Sequence, residues 1–334
     1  MIAVVKADAY GHGAVAVARA LEDAGASMLA VAFVDEAIAL RQGGVRAAIL
    51  VFAGCGPGQE QAFLEHALTP VVSGPETLEI ALQAAGRGRA PWRVHLEIDT
   101  GMARLGFPPS RALAAAQRLS QAGLVVEGVM THLATADEDA AFAGLQLDRF
   151  DTVVSDLLGH GLRPSFAHVA NSAGLAFLRP GHSAVRPGLL LYGVRPRPLS
   201  PPLEVEPVMS VSARVLQVRE LGTGTPVSYG GRWRARRPSR IATIGFGYAD
   251  GLPRTQAASE HGFATLRGAR APIVGTVCMD FTMLDVTDLP SVVEGDYAQV
   301  LGDSPSAWDL AAWAGSNPWQ VLAGIGARVP RVYA

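Results

Sequence analysis

The residue best suited to covalent chemistry stands near the start, in Ala3-Val4-Val5-Lys6-Ala7-Asp8-Ala9-Tyr10-Gly11-His12-Gly13. An apolar run ends at Lys6, and Lys6 is the only lysine in the chain; every other one of its 28 basic residues is arginine. An amine can lose its proton near neutral pH and attack a carbonyl, whereas a guanidinium cannot. The pattern points to an imine between Lys6 and a carbonyl cofactor or substrate. A stray surface lysine is the plainer alternative, but lysine is rarely found at the end of a buried apolar strand.

Lys6 also stands at the C-terminal end of its strand, ahead of a loop and a helix. In (β/α)8 barrels the reactive groups occupy that rim. The rest of the first two hundred residues keeps the same alternation. After the Lys6 strand, strands are expected at 29–33, 48–52, 69–72, 94–98, 127–132, 166–170 and 185–192. Helices are expected at 13–24, 36–42, 59–66, 76–85, 110–122 and 138–158, with a short one after Asn171. Eight apolar strands alternating with helices predict an α/β fold, a closed TIM-type (β/α)8 barrel over 1–194. No helix is expected after the eighth strand. Residues 195–202, Arg-Pro-Arg-Pro-Leu-Ser-Pro-Pro, read as a stiff extended linker. From 203 to 334 the texture changes to β-rich stretches at 208–218, 240–246, 272–283 and 297–301, with one helix near 307–314. This is expected to be a mainly β C-terminal domain.

The bulk numbers narrow the function classes. A chain of 334 residues, 49% hydrophobic, has ample material for a large core. A net charge of −2 shows no basic excess, so nucleic acid is not an expected partner. No apolar run of about 20 residues suggests a membrane span. The start runs directly into the Lys6 strand, so no signal peptide is expected. Cys55 and Cys278, far apart, make neither a disulfide framework nor a metal-ligand pattern. A reducing cytoplasm is the expected compartment and no metal is expected.

Several further stretches follow in order: Asp99-Thr100-Gly101-Met102-Ala103-Arg104, Thr131-His132-Leu133-Ala134, His168-Val169-Ala170-Asn171-Ser172, Arg186-Pro187-Gly188-Leu189, Val227-Ser228-Tyr229-Gly230, Gly247-Tyr248-Ala249-Asp250-Gly251, Cys278-Met279-Asp280 and Arg328-Val329-Pro330-Arg331. With the Lys6 stretch they resemble the fold-type III pyridoxal-phosphate enzymes, and specifically the alanine racemase family. Any one of them is weak, but the set in order along the whole chain is specific.

The resemblance implies pyridoxal 5'-phosphate on Lys6, with phosphate contacts from Tyr10, Ser172 and the N–H groups of Gly188 and Leu189. Ser172 reads equally well as a helix N-cap. Arg186 is implied to face the pyridine nitrogen, as a donor that will not give up its proton, with His168 supporting it. Without the family, a phosphate contact or a salt bridge would suit Arg186 as well. Lys6 and Tyr229 are implied to be the two acid–base groups on opposite faces of the substrate Cα, with His132 assisting Tyr229. Arg104 and the Met279 N–H are implied to bind the substrate carboxylate. Tyr229 is implied to reach the partner subunit's lysine, giving a homodimer with shared active sites. The implied activity is the interconversion of L- and D-alanine for peptidoglycan. A broader racemase of small amino acids such as serine, or a non-catalytic pyridoxal-phosphate carrier, is the alternative; carriers of that kind resemble a single barrel without a second domain.

Three departures from the family pattern qualify this. Glu97 takes the place of a lysine that many members carbamylate, and is expected to supply a fixed negative charge against Arg104. Trp319 is read in the place of a tyrosine that helps bind phosphate and narrows substrate access, while Tyr248, the other implied gate residue, is retained. The family's strand and long helix ahead of the cofactor-lysine strand are absent, and a chain extended by them is expected to be more stable.

Overall fold

The computed structural model describes residues 1–85, 87, 91–197 and 203–334. These divide into two units. One holds residues 1–9, 13–191, 195–197 and 203–204, the other residues 10–12, 192–194 and 205–334.

The first unit is built on a parallel sheet in the order β1 (Ile2–Val4), β2 (Met28–Val31), β3 (Ile49–Val51), β4 (Leu68–Val72), β5 (Arg93–Glu97), β6 (Val125–Met130) and β7 (Phe166–His168). Helices Ala14–Asp23, Val34–Gln42, Glu60–Glu65, Pro75–Ala84, Pro109–Gln121 and Ala140–Gly159 alternate with the strands. All residues of β1 to β4 are buried. Apolar runs of this kind suit strands covered on both faces, by helices outside and side chains inside.

The expected eighth strand is much shorter than 185–192. Only the stretch 183–187 is extended and paired. Ser183 N–H and Arg186 N–H donate to Ala167 O and Ala170 O on one side, at 2.9 and 2.8 Å. Ile2 N–H and Val4 N–H donate to Val185 O and Pro187 O on the other, at 2.9 and 3.1 Å. This segment therefore joins β7 to β1 and closes the barrel, which leaves no open edge. The chain then tightens into a 3-10 helix at Leu189–Tyr192. Residues 198–202 of the expected linker lie outside the described residues.

The second unit is a six-stranded antiparallel sheet in the order β13 (Ala269–Pro272), β12 (Phe263–Leu266), β15 (Tyr297–Leu301), β8 (Val211–Leu221), β11 (Ser239–Ile244) and β14 (Thr282–Asp285). A small ribbon pairs β9 (Pro226–Val227) with β10 (Trp233–Arg234). The Ile273–Leu284 bridge links the two outer strands. The single strand expected at 272–283 is instead two strands with a loop between them, in which Gly275 has φ +73°. Beside the expected helix Ala307–Ala314 there are two more, Gln256–His261 and Pro318–Ala323. Each is only six residues long, too short for an apolar periodicity to reveal it.

Candidate active site

Lys6 directly follows the buried residues Ile2 to Val5, at the C-terminal end of β1. The loop expected after it is a single helical turn, Lys6–Gly11, and its hand is unusual. Ala7, Asp8, Ala9 and Tyr10 have φ of 52°, 53°, 52° and 53°. Four consecutive non-glycine residues in the left-handed region cost about 1–2 kcal/mol each, so other groups must hold the turn. Glu36 Oε1 accepts from Ala7 N–H at 2.6 Å, and Asp8 Oδ1 accepts from Ala14 N–H at 2.6 Å. The other oxygen of Glu36 accepts from Ala32 and Phe33 N–H, at 2.8 and 3.1 Å. The Glu36 carboxylate thus ties the start of the turn to the end of β2. Burial lowers the pKa of Lys6, and the positive charge of Arg104 lowers it further against the opposing pull of Glu36.

Arg104 leaves a turn organised by Asp99, whose Oδ1 accepts from the N–H groups of Gly101, Met102 and Ala103 at 3.0, 2.9 and 3.0 Å. Neither Glu36 nor Asp99 was singled out from sequence. Each is an acidic residue just after a strand, a signal too common to stand out.

Arg186 is buried and heavily engaged. Its Nη1 donates to His168 Nδ1 at 2.8 Å and to His168 O at 2.5 Å. Its Nη2 donates to Thr131 O at 2.7 Å and Val169 O at 3.2 Å. The Nε–H has no partner among the described residues. Burial brings the guanidinium pKa down to about 10 against the pull of Glu97, which leaves it charged at neutral pH. His168 is fully buried, and burial followed by the charge of Arg186 holds it well below the usual histidine range. His132, half-buried just beyond β6, is pushed down to about 3 by burial and then by Arg186, Arg104 and Lys6. The charge of Arg104 thus reaches Lys6, His132 and Arg186 alike, which puts the four in one neighbourhood.

Glu97 faces a second arginine besides the expected Arg104. It is 5% exposed, and burial raises its pKa, with Arg186 the larger of the two opposing charges and Arg104 the smaller. No ion pair within 4 Å joins it to Arg104 among the described residues. Its carboxyl therefore feels both arginines, Arg186 as well as the expected Arg104.

Ser172 does not cap the short 3-10 helix Ala173–Phe177 that follows it. Asn171 Oδ1 does that work by accepting from Gly174 N–H at 2.8 Å. The Ser172 hydroxyl instead gathers Gly188 N–H at 3.0 Å and Leu190 N–H at 3.2 Å. Between these, Leu189 is 0% exposed and its N–H has no hydrogen bond among the described residues. An unpaired buried N–H is rare in folded proteins. Here it stands among convergent donors, the arrangement that receives an anion.

Four expected site residues belong to the second unit. Tyr10 is buried, packs on Tyr192 with ring centroids 4.8 Å apart, and has its phenol pushed up to about 12 by burial. Tyr229 opens the 3-10 turn Tyr229–Gly231 and is 66% exposed; Met279 is 52% exposed. The two line a common shallow cavity of about 620 Å³. Trp319 is half-buried on the helix Pro318–Ala323, and its indole N–H makes no hydrogen bond among the described residues. Tyr248 and Phe281, at 40% and 45%, add to the exposed apolar side chains of this unit.

A closed parallel barrel with a half-buried lysine on its C-terminal rim, followed by a β unit presenting an exposed tyrosine, has the architecture of a barrel enzyme. Comparison with known proteins gives the particular family. Residues 1–196 match the family model of the alanine racemase N-terminal domain and residues 208–333 that of the C-terminal domain. The alanine racemase of Geobacter sulfurreducens is 39% identical over 345 residues, covering 100% of this chain and 90% of the relative. That of Sorangium cellulosum is 42% identical over 348 residues, covering 99% and 90%. The crystal structure of alanine racemase from Streptomyces lavendulae superposes with a TM-score of 0.91 at 34% identity, covering 100% of this chain and 90% of the other. The chain belongs to the alanine racemase family, and so to the isomerases. No helix among its described residues is long and apolar enough to cross a membrane.

Proposed function

We propose that the protein interconverts L- and D-alanine using pyridoxal 5'-phosphate bound in the first unit. Lys6 carries this reading. It is the chain's single lysine, at the end of a buried strand, with burial and Arg104 disfavouring its ammonium form. An amine so placed is more readily the neutral nucleophile that attacks a carbonyl.

The residues fit the cofactor. Lys6 would bind its aldehyde carbon. The unpaired Leu189 N–H, the Gly188 N–H, the Ser172 hydroxyl and Tyr10 would receive its phosphate, and Trp319 is proposed to lie near the same anion. The spare Nε–H of Arg186 would face its pyridine nitrogen. A guanidinium that stays charged donates to that nitrogen without giving it a proton. When bound, the cofactor supplies an electron sink that acidifies the substrate Cα–H.

The chain's own groups do the rest. The Lys6 amine moves a proton at one face of Cα and the Tyr229 phenol moves one at the other. His132, held neutral, keeps a lone pair for the Tyr229 hydroxyl. Arg104 and the Met279 N–H orient the substrate carboxylate. His168 holds Arg186 in place. Residues 1–194 act as the cofactor domain and 203–334 as the domain that lends Tyr229 to the partner. The exposure of Tyr229, Met279, Tyr248 and Phe281 supports a homodimer with two shared sites, because side chains of this kind are otherwise kept from water. The product would be D-alanine for peptidoglycan, made in the cytoplasm.

The test combines three measurements on the purified protein. Added pyridoxal phosphate should give a visible absorption band, and borohydride should leave a mass adduct on Lys6. L-Alanine in heavy water should yield D-alanine carrying deuterium at Cα, faster than L-serine yields D-serine. Absence of both adduct and D-alanine would refute the reading; a serine rate above the alanine rate would redirect it to a broader racemase.

A further inference from the structure

Inside the first unit, two side chains with no role in the chemistry above continue a line that starts at Arg186. His168 takes a hydrogen bond from Arg186 Nη1 on its Nδ1, and its Nε2 lies 2.9 Å from His95 Nδ1. His95 is 0% exposed, and its Nε2 is buried without a hydrogen-bond partner. Beyond that nitrogen stands the Glu127 carboxylate, with Oε2 at 3.8 Å. The other oxygen of Glu127 accepts from Arg93 Nη1 at 2.8 Å, and the Arg93 side chain is 61% exposed.

The two ends dictate which nitrogen of each ring carries the proton. A guanidinium can only donate, so His168 Nδ1 must be a lone pair. The single proton of the neutral His168 ring is then on Nε2 and is donated to His95 Nδ1. That leaves the His95 proton on Nε2, aimed at a carboxylate that can only accept. Burial lowers the pKa of both rings, which keeps each of them neutral. Every donor in the line points the same way, from Arg186 toward Glu127.

The backbone is shaped around this line. The pairing of β5 with β6 slips between Val94 and His95: Val94 pairs with Val126, His95 pairs with Gly128, and Glu127 is left as the extra residue. A bulge of this kind re-aims a side chain. A Cβ at position 128 would stand 2.6 Å from the His95 ring, so glycine there is what leaves the ring its space.

We infer that His95 is a positioning residue: it fixes the His168 tautomer, and with it the orientation of Arg186, through a one-way chain of donors directed toward the Glu127 carboxylate. The inference rests on the reading of Arg186 given above. Without an acceptor at 95, His168 Nε2–H loses its partner, and the ring is free to turn and to present an N–H to the guanidinium.

The test uses the cofactor-loaded protein labelled with nitrogen-15 in histidine. In the wild type, His95 and His168 should both be neutral with the proton on Nε2. His95→Gln can still accept from His168 through its carbonyl; it should keep that tautomer and a kcat within about threefold of wild type. His95→Leu cannot accept, and should lose the slowly exchanging His168 ring proton. Its kcat should fall about tenfold with KM changed less than about twofold, the size expected for one unpaired buried donor. Should His95→Leu fail to fold, Glu127→Leu removes the terminal acceptor nearer the surface and should release the His95 tautomer. A proton on His168 Nδ1, an imidazolium at either ring at neutral pH, or equal kcat for the Gln and Leu variants would overturn the inference. The tautomers are read without turnover, so a protein lacking racemase activity would refute the functional reading while the histidine spectrum still decides this one.

Discussion

Glu36→Gln is expected to damage the protein out of proportion to the size of the change. Glu36 holds three backbone N–H groups, Ala7 on Oε1 and Ala32 and Phe33 on Oε2. A glutamine has one acceptor oxygen. If that oxygen keeps Ala32 and Phe33, the NH2 group faces Ala7 N–H, donor against donor. A lost hydrogen bond to a charged group costs about 1.5–3 kcal/mol. The lost bond also anchors a left-handed turn that is intrinsically unfavourable at each residue, so about 2–3 kcal/mol is the expectation for Gln. For Ala, which abandons all three, about 3–4.5 kcal/mol is expected, from roughly 1–1.5 kcal/mol net per bond. At about 2–4 °C per kcal/mol for a unit near 200 residues, Glu36→Gln should melt roughly 5–10 °C lower. The second consequence concerns Lys6. Glu36 is the charge that opposes the lowering of the Lys6 pKa, so neutralising it should move that pKa down further. The single lysine makes this measurable: labelling of Lys6 in the cofactor-free protein by an amine reagent, followed by peptide mass, should show its midpoint at a lower pH. A variant within about 0.5 kcal/mol of wild type by urea unfolding, the range of an ordinary surface change, with an unmoved or raised labelling midpoint, would refute the account of the turn.

Lys6→Arg should abolish both the visible cofactor band and racemisation, since guanidinium cannot act as the nucleophile; a variant keeping both would remove Lys6 from the site. Tyr229→Phe should still bind cofactor but lose exchange of the Cα proton more severely from L-alanine than from D-alanine, as chiral analysis in heavy water would show. Mixing Lys6→Arg and Tyr229→Phe subunits should restore up to about a quarter of wild-type activity, because random pairing gives half mixed dimers with one intact site each. A verified mixed dimer with no activity would count against shared sites. Acid should destabilise the fold earlier than carboxylates alone predict. His132, His168 and His95 have folded pKa values lowered chiefly by burial, with His132 near 3. Between that range and the ordinary histidine value the unfolded chain binds more protons, so stability falls as pH drops below about 6.5. The slope is at most about 1.4 kcal/mol per pH unit for each histidine. Urea unfolding between pH 5 and 7.5 would measure it, and a flat profile would mean these rings are charged or solvated in the fold.

The chain by itself determined the kind of chemistry and the kind of scaffold. One lysine among arginines at the end of an apolar strand, with strands and helices alternating after it, already implied a nucleophilic amine on a barrel rim. Such features are local: a residue type, a period, a strand end. The tertiary structure decided the features that depend on partners far along the chain. Nothing in Ala7-Asp8-Ala9-Tyr10 signals a left-handed turn; Glu36, 29 residues on from Ala7, supplies a bond that holds it. Ser172 read equally as a cap or an anion contact until the barrel brought 188–190 to its hydroxyl. The closing segment 183–187 is shorter than its apolar run suggested, because only residues meeting both β7 and β1 can pair. His95 meets His168 across 73 residues, and only because the β5–β6 register slips by one and leaves a glycine opposite the ring. Hydrogen bonds of this length in sequence are set by register and curvature, which no short window of residues encodes.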